Sequence, residues 1–326
     1  MSRQLLTPFI AVLRAAVVCV VLAALGMPDY AGAEDPGGGQ QARLAAVLAR
    51  GQDRQISTER GTIRIISFAA NKARHGAIFF IHGDPEWHRI GAFSQSLRDE
   101  EAKVLANHLE WLRGVAAAGK FATYFVARTG VFGSEGESLE FRREDSYLSI
   151  GHAIDTVIAK DGVGSAAIIG HSGGAAVALY HVIALANPTV RCYALASGVY
   201  NIGAMAEFMR IQKEKKADVA AIDRTQLAAM AFTPLPPAMV MKFKYFEPLF
   251  RIGEIPPAPE RQILIVSNRR DLTAPYFASA DLVDRLRSLG HRAALVEAAA
   301  KPPTYHYTYD TALDVAGACL AGALKR

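Results

Sequence analysis

The stretch SAAIIGHSGGAAVALY, Ser165–Tyr180, decides the fold. An apolar run of strand length climbs to Gly170-His171-Ser172-Gly173-Gly174. It then continues through alanines and larger apolar residues to the breaker Asn187-Pro188. A strand that passes straight into a helix needs a turn too tight for flanking side chains, and glycines supply it. The serine is thereby lifted out of the sheet, where a substrate can reach it. A helix starting at Gly173 points free backbone N–H groups and the positive end of its dipole at the same spot. Two readings follow: a Gly-rich turn used for close packing, or a site at which the Ser172 hydroxyl does chemistry.

The rest of the chain has the rhythm such a turn requires. Strand patterns fall at Thr62–Phe68, Ala77–His82, Phe121–Ala127, Val190–Ala196, Gln262–Ser267 and in RAALVEA from Arg292. Helical spacing falls at Asp99–Gly119, Arg142–Lys160, Gly173–Ala186, Tyr276–Leu289 and Thr308–Leu324. Strands alternating with helices of this length predict an α/β fold. Its central sheet is mainly parallel and covered by helices on both faces. Gly203–Pro259 breaks the rhythm with helical pieces, TPLPPA, MVMKFKYFEPLF and IPPAP, and reads as a helical cap insertion.

With 51% hydrophobic and 21% charged residues, the 326-residue chain can bury a large core and is not broadly disordered. The formal net charge of +5 is spread along the chain, so no nucleic-acid partner is expected. Residues 1–33 carry Arg3, Arg14, an apolar run from Ala15 to Gly26 and the small residues Ala31-Gly32-Ala33. A run of about 12 residues is short for a membrane span and fits a secretory leader cut before Glu34. The expected location is therefore secreted or periplasmic, with no stable membrane span once the leader is removed. Residues 34–58 open with EDPGGGQQ and read as a linker to a domain over 59–326. Cys192 and Cys319 could pair in an oxidising compartment. The preferred reading is two buried small apolar residues.

A serine hydroxyl is a weak nucleophile without a base, and the base is usually a histidine oriented by a carboxylate. Asp271 lies in NRRDLTAP, just after the strand Gln262–Ser267. His306 lies in AAKPPTYHYTYD, just after the strand RAALVEA. Both loops leave the C-terminal ends of strands, where open parallel sheets gather functional groups. His291 sits at the opposite end, and His82, His88, His152, His171 and His181 all lie before or near the serine. The strand Ala77–His82 ends in Gly83-Asp84-Pro85. Pro85 has no N–H, so the Asp84 N–H is the natural partner of the Gly173 N–H in binding an oxyanion. Trp87 and His171 are candidate substrate-binding residues, and Trp87 and His88 either line a pocket or pack beneath the cap. Arg128 pairs with Glu135 or Asp145, or meets a substrate carboxylate. The histidines show no metal-ligand spacing, and no Gly-rich dinucleotide fingerprint opens a first βα unit. No metal and no cofactor is expected.

Together these residues resemble the α/β-hydrolase superfamily over roughly Thr62–Leu324. The resemblance rests on Gly170-His171-Ser172-Gly173-Gly174, His82-Gly83, Asp271 and His306. It implies an acyl-enzyme mechanism: Ser172 attacks a carbonyl, His306 moves the proton and Asp271 holds the imidazole. Arg128-Thr129-Gly130 with Gly133-Ser134-Glu135-Gly136 looks like the R-P-G-x-x-G-S-x-G loop of aminopeptidase-like and esterase branches, with Thr129 in the proline's place. HGDPEW looks like a dehalogenase loop, but those enzymes use an aspartate nucleophile. The expected substrate is a small-molecule carboxylic ester, with a short peptide as the alternative. A hydrolase-like fold kept as a binding module is the third reading, and the oligomeric state stays open.

Overall fold

The computed structural model describes residues 39–70, 76–84, 95–119, 121–136, 142–205, 208, 246–271, 273–299 and 305–323. Its strands are β1 (Gln52–Thr58), β2 (Gly61–Phe68), β3 (Ala77–Ile81), β4 (Ala122–Val126), β5 (Ala166–His171), β6 (Val190–Ala196), β7 (Gln262–Ser267) and β8 (Ala293–Glu297). They form one eight-stranded sheet in the order β1-β2-β4-β3-β5-β6-β7-β8. β1 and β2 are antiparallel to their neighbours, and β3 through β8 run parallel. The helices are α1 (Gln40–Leu48), α2 (Gln95–Ala117), α3 (Glu144–Lys160), α4 (Gly173–Ala184), α5 (Tyr276–Ser288) and α6 (Tyr309–Leu320). A 3-10 helix spans Pro248–Glu254.

Successive side chains of a strand point to opposite faces, so a fully apolar strand feeds two cores. In β3, Phe79 and Ile81 join one core with Ile150 of α3, Leu179 of α4 and Leu282 of α5. Ile78 and Phe80 join the other, with Leu109 and Leu112 of α2 and Leu313 of α6. The chain moves from β3 to β4 on one side and returns to place β5 on the other. This reversal makes the C-terminal ends of β3 and β5 a topological switch point, the place where open sheets of this kind gather their ligand-binding groups.

Three sequence expectations change here. The expected linker over 34–58 contains α1 and β1. β1, QDRQIST, buries only Ile56 and pairs with β2 through its backbone, so its polar composition conceals an edge strand. α1 packs on α2 and buries Val47. The return limb of the 203–259 insertion is not a cap: Leu249, Ile252 and Ile255 belong to the main core. Most of that insertion, and residues 1–33, which the sequence reads as a leader, lie outside the described residues. Among the described residues no helix is long and apolar enough to cross a membrane.

The third change concerns the cysteines. Cys192 of β6 and Cys319 of α6 form a disulfide across a Cα–Cα distance of 6.3 Å and a sequence separation of 127. Sequence shows neither the approach of α6 to β6 nor the shared face, and only the packed helix brings the sulfurs together. The bond closes a long loop in the unfolded chain and is expected to contribute up to about 5 kcal/mol on the chain-entropy estimate. Denaturant unfolding with and without reductant checks this. Reduction should lower the midpoint of the wild type and leave that of Cys319→Ala unchanged.

Candidate active site

β5 delivers Ser172 at its C-terminal end. The residue sits at φ 52° and ψ −118°, in the left-handed half of backbone space. Such a conformation costs about 1–3 kcal/mol at a non-glycine residue and persists only where the surroundings impose it. Here the surroundings are two close approaches. A Cβ on Gly170 would lie 2.6 Å from the Ala175 Cα, and one on Gly174 would strike the carbonyls of Ile81 and His82. α4 is thus pressed against the ends of β3 and β5, and the chain has only the Ser172 turn in which to reverse. The Ser172 N–H donates to the Ala196 carbonyl at 2.8 Å, and its own carbonyl accepts the Val199 N–H at 3.1 Å.

Asp271 and His306 come together across loops after β7 and β8. His306 Nδ1 donates to Asp271 Oδ2 at 2.8 Å. Asp271 Oδ1 accepts the N–H groups of Thr273 and Ala274 at 2.8 and 2.9 Å. Burial pushes the Asp271 carboxyl up, but the hydrogen bond from His306 and those from these two N–H groups outweigh it. The net effect holds the carboxyl below its usual value and ionised near neutrality. The loop itself is pinned by Asn268, whose Nδ2 donates to the Ala298 carbonyl at 2.6 Å. With its Nδ1 proton engaged, His306 keeps the Nε2 lone pair for a proton. Among the described residues no hydrogen bond joins Ser172 Oγ to His306. Hydrogen bonds of this kind are often long in the free state and tighten when substrate binds.

His171, expected at the substrate, is 4% exposed and makes a different contact. Its Nε2 donates to the His306 carbonyl at 3.1 Å, and its ring lies 5.0 Å from the His306 ring. The Thr308 N–H reaches the same carbonyl at 3.1 Å, and Thr308 Oγ1 pairs with Ser197 Oγ at 2.9 Å. The residue before Ser172 therefore holds the backbone of the residue expected to serve it as base. Burial and the nearby His306 push the His171 imidazole down to about 3, so it is neutral in the fold. Nothing in the linear spacing shows this link, because it joins residues far apart in sequence.

The loop after β3 lies on the other side of Ser172. A Cβ on Gly83 would sit 2.9 Å from the Ser172 Cβ. His82 is fully enclosed between Phe125 and Phe132, and burial and the Arg128 charge drive its pKa well down. Neutral His82 donates from Nδ1 to the Gly83 carbonyl at 2.6 Å and accepts the Arg128 N–H on Nε2 at 3.1 Å. Arg128 pairs neither with Glu135 nor with Asp145 but with Asp84. Glu135 accepts the Thr62 N–H, while Asp145 faces Arg60 and Arg143. Arg142, to which the sequence reading gave no role, also binds Asp84. Burial would raise the Asp84 carboxyl, but the charges and hydrogen bonds of Arg142 and Arg128 overturn that and hold it well below the usual range. Trp87 and His88 lie outside the described residues. His291 sits at the turn before β8, and His181 bonds Tyr193 and Asp155; neither contacts this site. Among the described residues no cluster of metal-ligating side chains occurs.

The comparisons with known proteins agree with this architecture. No protein-family model matches the chain, and no curated protein matches it by sequence. Solved structures do. An esterase from Pyrobaculum calidifontis superposes with a TM-score of 0.55 at 14% identity, covering 88% of this chain and 92% of that one. An esterase from Pyrococcus furiosus gives 0.53 at 13% identity, covering 90% and 95%. The acylaminoacyl peptidase of Pyrococcus horikoshii gives 0.51 at 14% identity and covers 79% of this chain, which spans only 38% of that protein's length. The protein has the α/β-hydrolase fold.

Two outcomes are expected. A Cβ on Gly173 would overlap Asp84 Oδ1 and lie 2.8 Å from Arg128 Nη1. Gly173→Ala should therefore lower the melting temperature by several degrees, read by circular dichroism. The second concerns pH. His171 has a lowered folded pKa, so below about 6.5 the unfolded chain binds the extra proton and stability falls with pH until the folded value near 3. His171→Gln should flatten the slope of unfolding free energy between about pH 6 and 4 by up to about 1.4 kcal/mol per pH unit. Urea titrations at three pH values measure it.

Proposed function

We propose that the protein is a serine hydrolase that cleaves carboxylic esters through an acyl-enzyme intermediate. The observation that carries this reading is the Asp271–His306 hydrogen bond, beside the strained turn that places Ser172 at the C-terminal end of β5. His306 Nε2 takes the Ser172 proton as Oγ attacks the substrate carbonyl. Asp271 keeps the imidazole oriented and stabilises its positive form without taking the proton itself. The oxyanion is met by the N–H of Gly173, the first residue of α4, and by the N–H of Asp84. Among the described residues neither N–H has another acceptor. His306 returns the proton to the leaving alcohol, and water repeats the sequence to release the acid.

The esterases that superpose over nearly their full length support an ester substrate. The superposition with the acylaminoacyl peptidase supports an amide alternative with the same residues, for a short peptide rather than a small ester. For location we propose a secreted or periplasmic protein. The Cys192–Cys319 disulfide supports it, since such bonds persist in oxidising compartments.

Acyl p-nitrophenyl esters of graded chain length and matched aminoacyl anilides test the reading, together with fluorophosphonate labelling located by peptide mass spectrometry. Ester turnover and label on Ser172 are expected. Both should vanish in Ser172→Ala, and kcat should fall by at least about 10³-fold in His306→Ala. Faster turnover of the anilides would shift the assignment to a peptidase. A folded wild type that neither turns over nor takes label would sink the proposal.

A further inference from the structure

The side chain of Asp84 does more than close a turn. Its Oδ1 accepts from Arg128 Nη1 at 2.5 Å, and its Oδ2 accepts from Arg142 Nε at 2.9 Å and from Arg142 Nη2. The side chains of Arg128 and Arg142 are 1% and 5% exposed, behind a carboxylate that is 20% exposed. Four segments meet here. Asp84 follows β3, and Arg128 follows β4 and is joined through its N–H to His82. Arg142 precedes α3, and its Nη1 reaches the Val199 carbonyl beyond β6 at 3.4 Å. The Val199 N–H in turn binds the Ser172 carbonyl.

The charges explain the composition of the cluster. A carboxylate alone against Gly173 would repel an oxyanion forming there. The guanidinium groups of Arg128 and Arg142 offset that charge and fix the carboxylate by three hydrogen bonds. Replacing a buried ion cluster by apolar packing is often neutral or stabilising, so stability alone does not account for burying two arginines beneath one turn.

We propose that the Arg128–Asp84–Arg142 cluster is the positioning element of the oxyanion site, aiming the Asp84 N–H and offsetting the Asp84 carboxylate charge against Gly173. It acts through other groups and does not touch the reacting atoms. Its effect falls on the negatively charged tetrahedral state and not on the neutral ester, so it should appear in kcat and not in KM. This inference rests on the serine-hydrolase reading.

The test compares Arg142→Lys, Arg142→Gln and Arg128→Lys with the wild type. Two quantities are read: kcat and KM for an acyl p-nitrophenyl ester, and the inhibition constant of an alkyl boronic acid. That inhibitor forms an anionic tetrahedral adduct: a Ser172 Oγ–boron bond is made and the hydroxyl proton passes to His306. Arg142→Gln should lower kcat by about 10–10²-fold, below the loss of a whole oxyanion donor, with KM within about twofold. The boronic acid should weaken by a similar factor, and Arg142→Lys should recover part of both losses. If Arg142→Gln does not fold by circular dichroism, the two lysine variants decide by the same readouts, since each keeps the charge but loses the forked geometry. Active, folded variants with unchanged kcat and boronic-acid affinity overturn the inference alone, as does a rise in KM at constant kcat. A wild type with neither turnover nor label overturns the hydrolase reading and this inference together.

Discussion

The contact between the first turn of α4 and the ends of β3 and β5 sets the geometry of this protein. Backbone lies on backbone there. Gly174 abuts the carbonyls of Ile81 and His82, and Gly170 abuts the Cα of Ala175. A helix that near its sheet leaves no room for a relaxed connection, so the strain collects at Ser172. The same approach brings Gly83 of the β3 loop against the serine, at the end of the sheet where α4 begins. The position of the hydroxyl at the strand end, the strain and the N–H groups of the first helical turn therefore have one cause.

Around that turn the protein spends its buried polar groups on fixing loops. His82 holds the Gly83 carbonyl and the Arg128 N–H, His171 holds the His306 carbonyl, and Asn268 ties the β7 loop to the residue after β8. Two of these are histidines kept neutral by burial, and each serves as an uncharged crosslink between loops that share no regular hydrogen bonding. The ionised groups, Asp84 with its two arginines and Asp271, lie where a reaction would develop charge. The Cys192–Cys319 bond works one layer further out, tying to β6 the helix that begins three residues after His306.

How much of this was legible in the chain depends on the kind of signal. Val190–Ala196 and Gln262–Ser267 read as strands to the residue, because a buried parallel strand is a continuous apolar run with sharp polar ends. β1 leaves no such signal, because an edge strand needs backbone partners more than apolar side chains. The 3-10 helix at Pro248 reads as cap in the sequence because its apolar residues follow a breaker-rich segment and carry no mark of which surface they meet.

Sequence by itself determined the alternation of elements, the glycine-flanked turn at Ser172, and the order in which the candidate serine, aspartate and histidine leave the strands. These are local properties: they depend on side-chain size, periodicity and backbone freedom within a few residues. Tertiary structure alone decided that Asp84 faces Arg128 and Arg142, that His171 bonds His306 and that Cys192 meets Cys319. Those pairings join residues about 40 to 135 positions apart. Charge, hydrogen-bonding capacity and sulfur are visible in a chain, but their partners are chosen only when the sheet brings distant loops to one end.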